Sequence, residues 1–271
     1  FEVEQARIQL RYGNHKGAQK TLEGVAKKYA ATRSAADAEF HLIEALEKIG
    51  KSEEHFAALL SFVKNRKNNA NWALANLELA SIYTKDQDYV GASRAYLNAL
   101  TGQLEESRRP EVLEKLYESH VNLRLYDSAI SYARDLIEQH PLDSRAQDAR
   151  ISVGEIYSEK GEYEKSIAEL RPLLTKLSGD KWSSAQYVIA MAYQKMDEYE
   201  NALREHLKLV YTPQGSVNWV ANSLMGRAQC FTALGRSREA IEELEKIRTR
   251  FSGTSFILQA DQMIAELRQN Q

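Results

Sequence analysis

The single cysteine of the chain, Cys230, closes the stretch "NWVANSLMGRAQC" (218–230), which also holds Trp219, one of three tryptophans. A thiol near a large aromatic can be a nucleophile in a ligand pocket, or one more turn of packed helix. The six histidines, His15, His41, His55, His120, His140 and His206, form neither an HExxH pair nor a Cys/His cluster, so no zinc-ligand spacing is present. The run "REAIEELEK" (238–246) sets Glu239 and Glu243 one turn apart, with Arg238 and Lys246 four residues either side of Glu242. Opposite charges at that spacing mark a solvated, charge-paired helix face before they mark acid–base catalysis. GxGxxG, P-loop and nucleophile-elbow patterns are missing from the sequence. The chain is therefore read as non-enzymatic, with no catalytic residue, metal or cofactor.

Composition narrows the field further. Hydrophobic content of 43% with 27% charge is ordinary for a soluble folded protein, and 4 prolines and 13 glycines in 271 residues favour helix. A net charge of −2 provides no field for nucleic acid or an anionic membrane. The densest basic stretch, "KNRKNN" (64–69), is confined to one loop. A nucleic-acid surface would need it to recur with stacking aromatics, so no nucleic-acid partner is expected. One cysteine excludes a disulfide framework, and no apolar run is long enough to span a bilayer. The chain starts at Phe1 without an initiator methionine or a leader, and is read as a processed or trimmed segment.

The elements that position these residues follow from an internal repeat. "KDQDYVGASRAYLNAL" (85–100), "LRLYDSAISYARDL" (123–136), "EKGEYEKSIAELRPL" (159–173), "KMDEYENALREHLKL" (195–209) and "ALGRSREAIEELEKI" (233–247) share a turn followed by an amphipathic helix. The residue after the turn recurs at Ala18, His55, Ala92, Ala129, Ser166, Ala202 and Ala240, at intervals of 36 to 38. A second amphipathic helix precedes each turn. Twelve positions before each anchor stand Ala6, Ile43, Ala80, Tyr117, Gly154, Ala190 and Ala228, mostly small, as close helix crossing requires. Three residues later come Leu46, Tyr83, His120, Tyr157, Tyr193 and Phe231, mostly large, which fill the space between the helices. The expected architecture is all-α: antiparallel helix pairs of about 37 residues that bury their apolar faces by stacking. Pro172 falls inside a second helix, where a kink is expected. Pro213 marks the most glycine- and proline-rich linker, "YTPQGSVN".

This pattern resembles the tetratricopeptide repeat, carried most fully by "RISVGEIYSEKGEYEKSIAEL" (150–170). The period is 37 where the family has 34, and "HPLDSRAQDA" (140–149) and "RFSGTSFILQA" (250–260) fill the longer junctions. Such junctions are similar to those of bacterial envelope members of the family, which favours the periplasm or cell envelope over the cytoplasm. The resemblance implies a right-handed α-solenoid forming one domain, 1–271. Its repeats are expected near 1–34, 35–71, 72–108, 109–145, 146–181, 182–219 and 220–254, with a capping helix at 255–271. It also implies a protein or peptide partner, held in a concave groove lined by the first helix of each pair.

Aligned on the family, repeats four and five present Glu111, Glu114, Glu118, Asp148, Glu155 and Glu159 to that groove, with Lys115 the one cation. This is either a solvated acidic face or a site for a basic segment. Repeats six and seven present Tyr187, Val188, Met191, Gln194, Asn222, Met225 and Gln229. These suit an adaptable site for an apolar anchor, or they pack against a neighbouring repeat. The family's carboxylate clamp is not evident, because its positions hold Val3 and Arg7, Phe40 and Glu44, Leu77 and Ser81, Glu114 and Glu118, and Ile151 and Glu155. The expectation is a protein-interaction scaffold serving a bacterial envelope assembly. The alternative is a regulatory sensor closing on a small peptide or metabolite.

The opening stretch then falls at the start of the first helix of repeat seven. Trp219 lies just ahead of it, as Trp72 and Trp182 do before repeats three and six, which points to packing between repeats. Cys230 shares its address with Ile8, Ala45, Ile82, Ser119, Ile156 and Ala192, so a buried, inert thiol is expected.

Overall fold

The computed structural model describes residues 1–30, 32–211 and 217–269; Pro213 and most of its linker lie outside them. The described chain is helical throughout. Seven antiparallel pairs follow one another: α1 (Glu2–Arg11) with α2 (His15–Lys28), α3 (Arg33–Ile49) with α4 (Ser52–Asn65), α5 (Trp72–Lys85) with α6 (Tyr89–Thr101), α7 (Arg109–Asn122) with α8 (Tyr126–Gln139), α9 (Ser144–Glu159) with α10 (Tyr163–Leu170), α11 (Gly179–Lys195) with α12 (Tyr199–Tyr211), and α13 (Val217–Ala233) with α14 (Ser237–Arg250). A single helix, α15 (Phe256–Gln269), follows.

One turn closes every pair. The residue five before each anchor adopts positive φ: Gly13, Gly50, Gln87, Arg124, Gly161, Asp197 and Gly235. The next residue's N–H reaches back to the carbonyl five residues earlier, as in Asp88 to Tyr83 at 2.8 Å, Glu162 to Tyr157 at 2.8 Å and Arg236 to Phe231 at 2.8 Å. This left-handed cap satisfies carbonyls that the ending helix leaves open. Glycine takes it without a steric cost at four of the seven positions, whereas Gln87, Arg124 and Asp197 bear the side-chain penalty. Three residues on, Asn14 and Asp88 side chains accept from Gly17 N (3.1 Å) and Gly91 N (3.0 Å), which starts the second helix.

The contacts divide the chain into two compact units, Phe1–Leu136 and Ile137–Gln271. Within each, a helix packs on the next, and first helices also touch across pairs, as α1 with α3 and α11 with α13 do. All seven anchors are buried, and so are the seven residues twelve positions before them. Four residues after each anchor stands another fully or nearly buried side chain: Leu22, Leu59, Tyr96, Ala133, Leu170, His206 and Leu244. These act as knobs between first helices. Leu170 presses so closely on α9 that a Cβ on Gly154 would come within 2.3 Å of it. The terminal helix α15 buries Ala260, Ile264 and Leu267 against the last pair.

Three local expectations change. Pro172 does not kink its helix but ends it: α10 stops at Leu170 and continues as a single 3-10 turn, Arg171–Leu173. Proline lacks the N–H for the next helical bond and its ring opposes the carbonyl four residues earlier, so a short helix ends outright. The tryptophans lie within helices, not ahead of them: Trp72 opens α5, Trp182 is in α11 and Trp219 is in the first turn of α13. Trp72 still joins repeats, since its indole N–H donates to the Val63 carbonyl of α4 at 2.8 Å. At the Cys230 address, Ile8 is 48% exposed and Ile82 is half-buried, so the address is not buried in every repeat.

Candidate functional site

In the second unit, α11, α13 and α15 border a cleft of about 280 Å³. Tyr187 comes from α11; Asn222, Met225 and Gln229 from α13; and Gln259, Gln262, Met263 and Glu266 from α15. Helical spacing of three to four residues brings each helix's contributors onto one face. Tyr187 is fixed by aromatic neighbours, with His206 at 5.6 Å and Trp219 at 5.5 Å between ring centroids, and burial raises its phenol pKa. Gln194 donates to Gln229 Oε1 at 3.0 Å, which joins α11 to α13 at the rim. Met225 borders the cleft and also packs on the terminal core. Met191 is half-buried and does not border the cleft. The α15 wall comes from a helix outside the repeats, and a repeat pattern says nothing of the element that ends it.

In the first unit, a larger concavity of about 690 Å³ lies between α3, α5 and α7. Phe40, Leu74, Leu77 and Val112 form its apolar part; Glu78, Lys85, Arg108, Glu111 and Lys115 give it charges of both signs. Phe40, Leu77 and Ser81 all border this concavity. Glu78 is met by His55 from α4 at 2.6 Å, so that histidine fills an anchor position and bridges two pairs.

The predicted acidic residues are largely partnered. Glu118 holds Lys115 at 2.8 Å, and Glu114 is likewise engaged. In the second unit Asp148 pairs with Lys181 of α11, and Glu155 accepts from Ser184 at 2.9 Å.

The densest polar chemistry is buried behind the cleft. Glu205 receives Arg171 (3.0 Å), Gln186 (2.7 Å) and Lys208 (2.6 Å). Burial opposes its charge, but these hydrogen bonds hold its pKa below the ordinary value. Arg227 (α13) donates to the Leu203 carbonyl at 2.8 Å and to Glu243 at 2.9 Å, and Lys246 also donates to Glu243 at 3.0 Å. Glu243 is 5% exposed, so it leaves the solvated face expected of "REAIEELEK"; Arg238 and Glu242 do pair there, at 3.4 Å. Sequence spacing within one helix could not show a partner supplied by another. His206 is wholly buried against Gly226, with neither ring nitrogen hydrogen-bonded, and its pKa falls to about 3, through burial first and Arg227 second. His120 packs on Tyr132 at 4.9 Å, and its Nδ1 lies 2.9 Å from the Leu116 carbonyl.

Cys230 is fully buried and burial pushes its thiol up to about 11. Thiol reagent at pH 8 is expected to label it at least about a hundredfold more slowly in the native protein than in denaturant, the rate following local opening. Labelling at the unfolded rate would show an open, reactive thiol.

Antiparallel pairs with small anchors, large inter-helix residues and one repeated left-handed turn define the tetratricopeptide class of helical repeat. Residues 116–180 match the tetratricopeptide repeat family, and the described residues share a helical-repeat fold with solved structures over nearly the whole chain. No curated protein matches it. Among solved structures, the apo form of RapI is 11% identical with a TM-score of 0.66, covering 99% of this chain and 85% of that one. MamA from Desulfovibrio magneticus RS-1 (41-end) is 14% identical, TM-score 0.51, covering 66% and 97%. PilW, titled a widely conserved type IV pilus biogenesis factor, is 17% identical, TM-score 0.51, covering 83% and 97%. These likenesses carry the fold. Repeats of this class generally mediate protein–protein interaction and are generally non-enzymatic.

Proposed function

We propose that the protein is a non-enzymatic scaffold that holds a segment of a partner protein against the first helices of its repeats, in a bacterial envelope assembly. The carrying observation is the cleft in which Tyr187, Asn222, Met225 and Gln229 meet an α15 wall rich in amides and methionine. A rigid aromatic and two flexible thioethers suit an apolar anchor, and the amides suit the polar backbone around it. The acids Glu114, Glu118, Asp148 and Glu155, with Met191 and Gln194, are the further residues assigned to partner contact, the acids towards a basic stretch. Supporting the envelope setting are the junctions "HPLDSRAQDA" and "RFSGTSFILQA" and the fold shared with PilW.

The test is comparative capture followed by affinity measurement. A Tyr187→Ala/Met225→Ala chain is expected to bind the captured partner about tenfold or more weakly, as loss of two central contacts would cause. A Leu97→Ala/Leu207→Ala chain, altered on exposed second-helix positions, is expected to keep wild-type affinity. The reverse pattern would move the contact to the second helices and sink the groove. Charge reversal at Glu118 and Glu155 separately tests the basic stretch, with weaker binding expected.

A further inference from the structure

The stretch "KNRKNN", the last two residues of α4 and the loop after it, borders a one-sidedly charged concavity that the groove does not involve. It borders a pocket of about 560 Å³ between the end of α4 and the start of α3. Four cations line it, Arg33, Lys64, Arg66 and Lys67, together with the side-chain amides of Asn65, Asn68 and Asn69; no carboxylate does, among the described residues. We propose that this pocket binds a compact polyphosphate anion, a di- or triphosphate group.

Arg66 is the fixed point. Its half-buried guanidinium donates to both oxygens of Glu39, at 2.8 and 2.6 Å, and to the Ala30 carbonyl at 3.0 Å, clamping the loop to α3 and to the end of α2. At the other end, Asn69 donates to Asp37 at 3.4 Å and accepts from Asn71 N at 2.8 Å. With the loop held at both ends, Lys64 and Lys67 flank a set position instead of a free chain. Neither their side chains nor that of Arg33 make an ion pair or hydrogen bond to another described residue, unlike Arg171 and Arg227 of the second unit. Three uncompensated charges gathered round one hollow repel one another, and an anion of matching charge relieves that.

The charge and shape select among anions. Three free cations suit the several negative charges of a di- or triphosphate better than a single carboxylate, and Arg presents paired N–H donors that fit phosphate oxygens. The volume lies within the range of small-molecule sites. No aromatic side chain lines the pocket, so a nucleic-acid strand would find no stacking platform. The first-turn amide of Ala35 is already taken by the Thr32 hydroxyl at 3.3 Å, which leaves the holding to the side chains.

Isothermal titration of the whole chain with inorganic pyrophosphate and tripolyphosphate tests this. Saturable binding at one site is expected, tighter for tripolyphosphate, with Lys64→Glu/Lys67→Glu about a hundredfold weaker and Arg33→Glu about tenfold, roughly one decade per lost charge contact. Lys16→Glu/Lys20→Glu changes net charge equally on exposed α2 positions outside the pocket, and is expected to stay within about twofold of wild type. All five positions are exposed, and far-UV circular dichroism of each variant verifies folding. Three results would overturn the proposal: no saturable binding, an equal loss in the α2 control, or an oligothymidylate binding more tightly than tripolyphosphate at equal phosphate concentration. The last would assign the patch to nucleic acid.

Discussion

Between pH 7 and pH 4.5, the wild-type protein is expected to lose roughly 3 kcal/mol more folding stability than its His206→Leu variant. His206 titrates near 6.5 when unfolded and at about 3 when folded. Its folded pKa is depressed, so below pH 6.5 the unfolded chain takes up a proton that the folded chain refuses. The stability contribution is therefore complete above about pH 6.5 and is lost as pH falls towards 3, at about 1.4 kcal/mol per pH unit. Burial is the main cause, with Arg227 of α13 adding repulsion and Glu205 on the same helix opposing it; Tyr187 of α11 closes the ring's other side. Leucine is the residue that repeats one, two, five and seven hold at this knob position, so the variant restores the array's own packing. At pH 7 it is expected to be as stable as wild type or more so, since two unbonded ring nitrogens are removed from the interior. Urea unfolding of both chains at both pH values measures the difference. Equal losses would mean that the imidazole is solvated in the folded state.

The second large effect is steric. Gly154→Val is expected to destabilise the protein by about 3 kcal/mol, in the upper range for overpacking a core. Even the first carbon of a side chain there would meet Leu170 Cγ at 2.3 Å and Cδ2 at 2.5 Å, and Leu170 is wholly buried with nowhere to turn. Leu170→Ala alone should also cost about 2–5 kcal/mol through the cavity it leaves. Combined, the two changes relieve each other: the double variant should be at least about 1 kcal/mol more stable than the sum of the singles predicts. Strict additivity would show that the two residues do not share the space between α9 and α10.

The array itself was legible because its spacing is regular and its constraints local. Anchors such as Ala92 and Ala202 recur because two helices must approach closely there, and a requirement that repeats leaves a repeating residue. The turn was legible as a position and not as a conformation: Gly13 and Gly161 announce positive φ, while Gln87, Arg124 and Asp197 adopt it without any compositional sign. Residues on α11 and α13 could be aligned to one face, and Tyr187, Met225 and Gln229 do share a cleft. The opposite wall could not be foreseen, because α15 belongs to no repeat. Ion pairs between helices, such as Arg227 with Glu243, were hidden for a related reason. Each partner looks like an ordinary surface charge on its own helix, and only the fold puts them inside.

Trp72 has a spectroscopic consequence. It is the sole tryptophan of Phe1–Leu136; Trp182 and Trp219 both belong to Ile137–Gln271. A chain with those two replaced by phenylalanine therefore emits from a single indole, seated where α4 hands over to α5 and bonded to the α4 backbone. Water reaching that indole shifts its emission to longer wavelength, so one fluorophore already in the sequence reads the integrity of a repeat junction, without an added label.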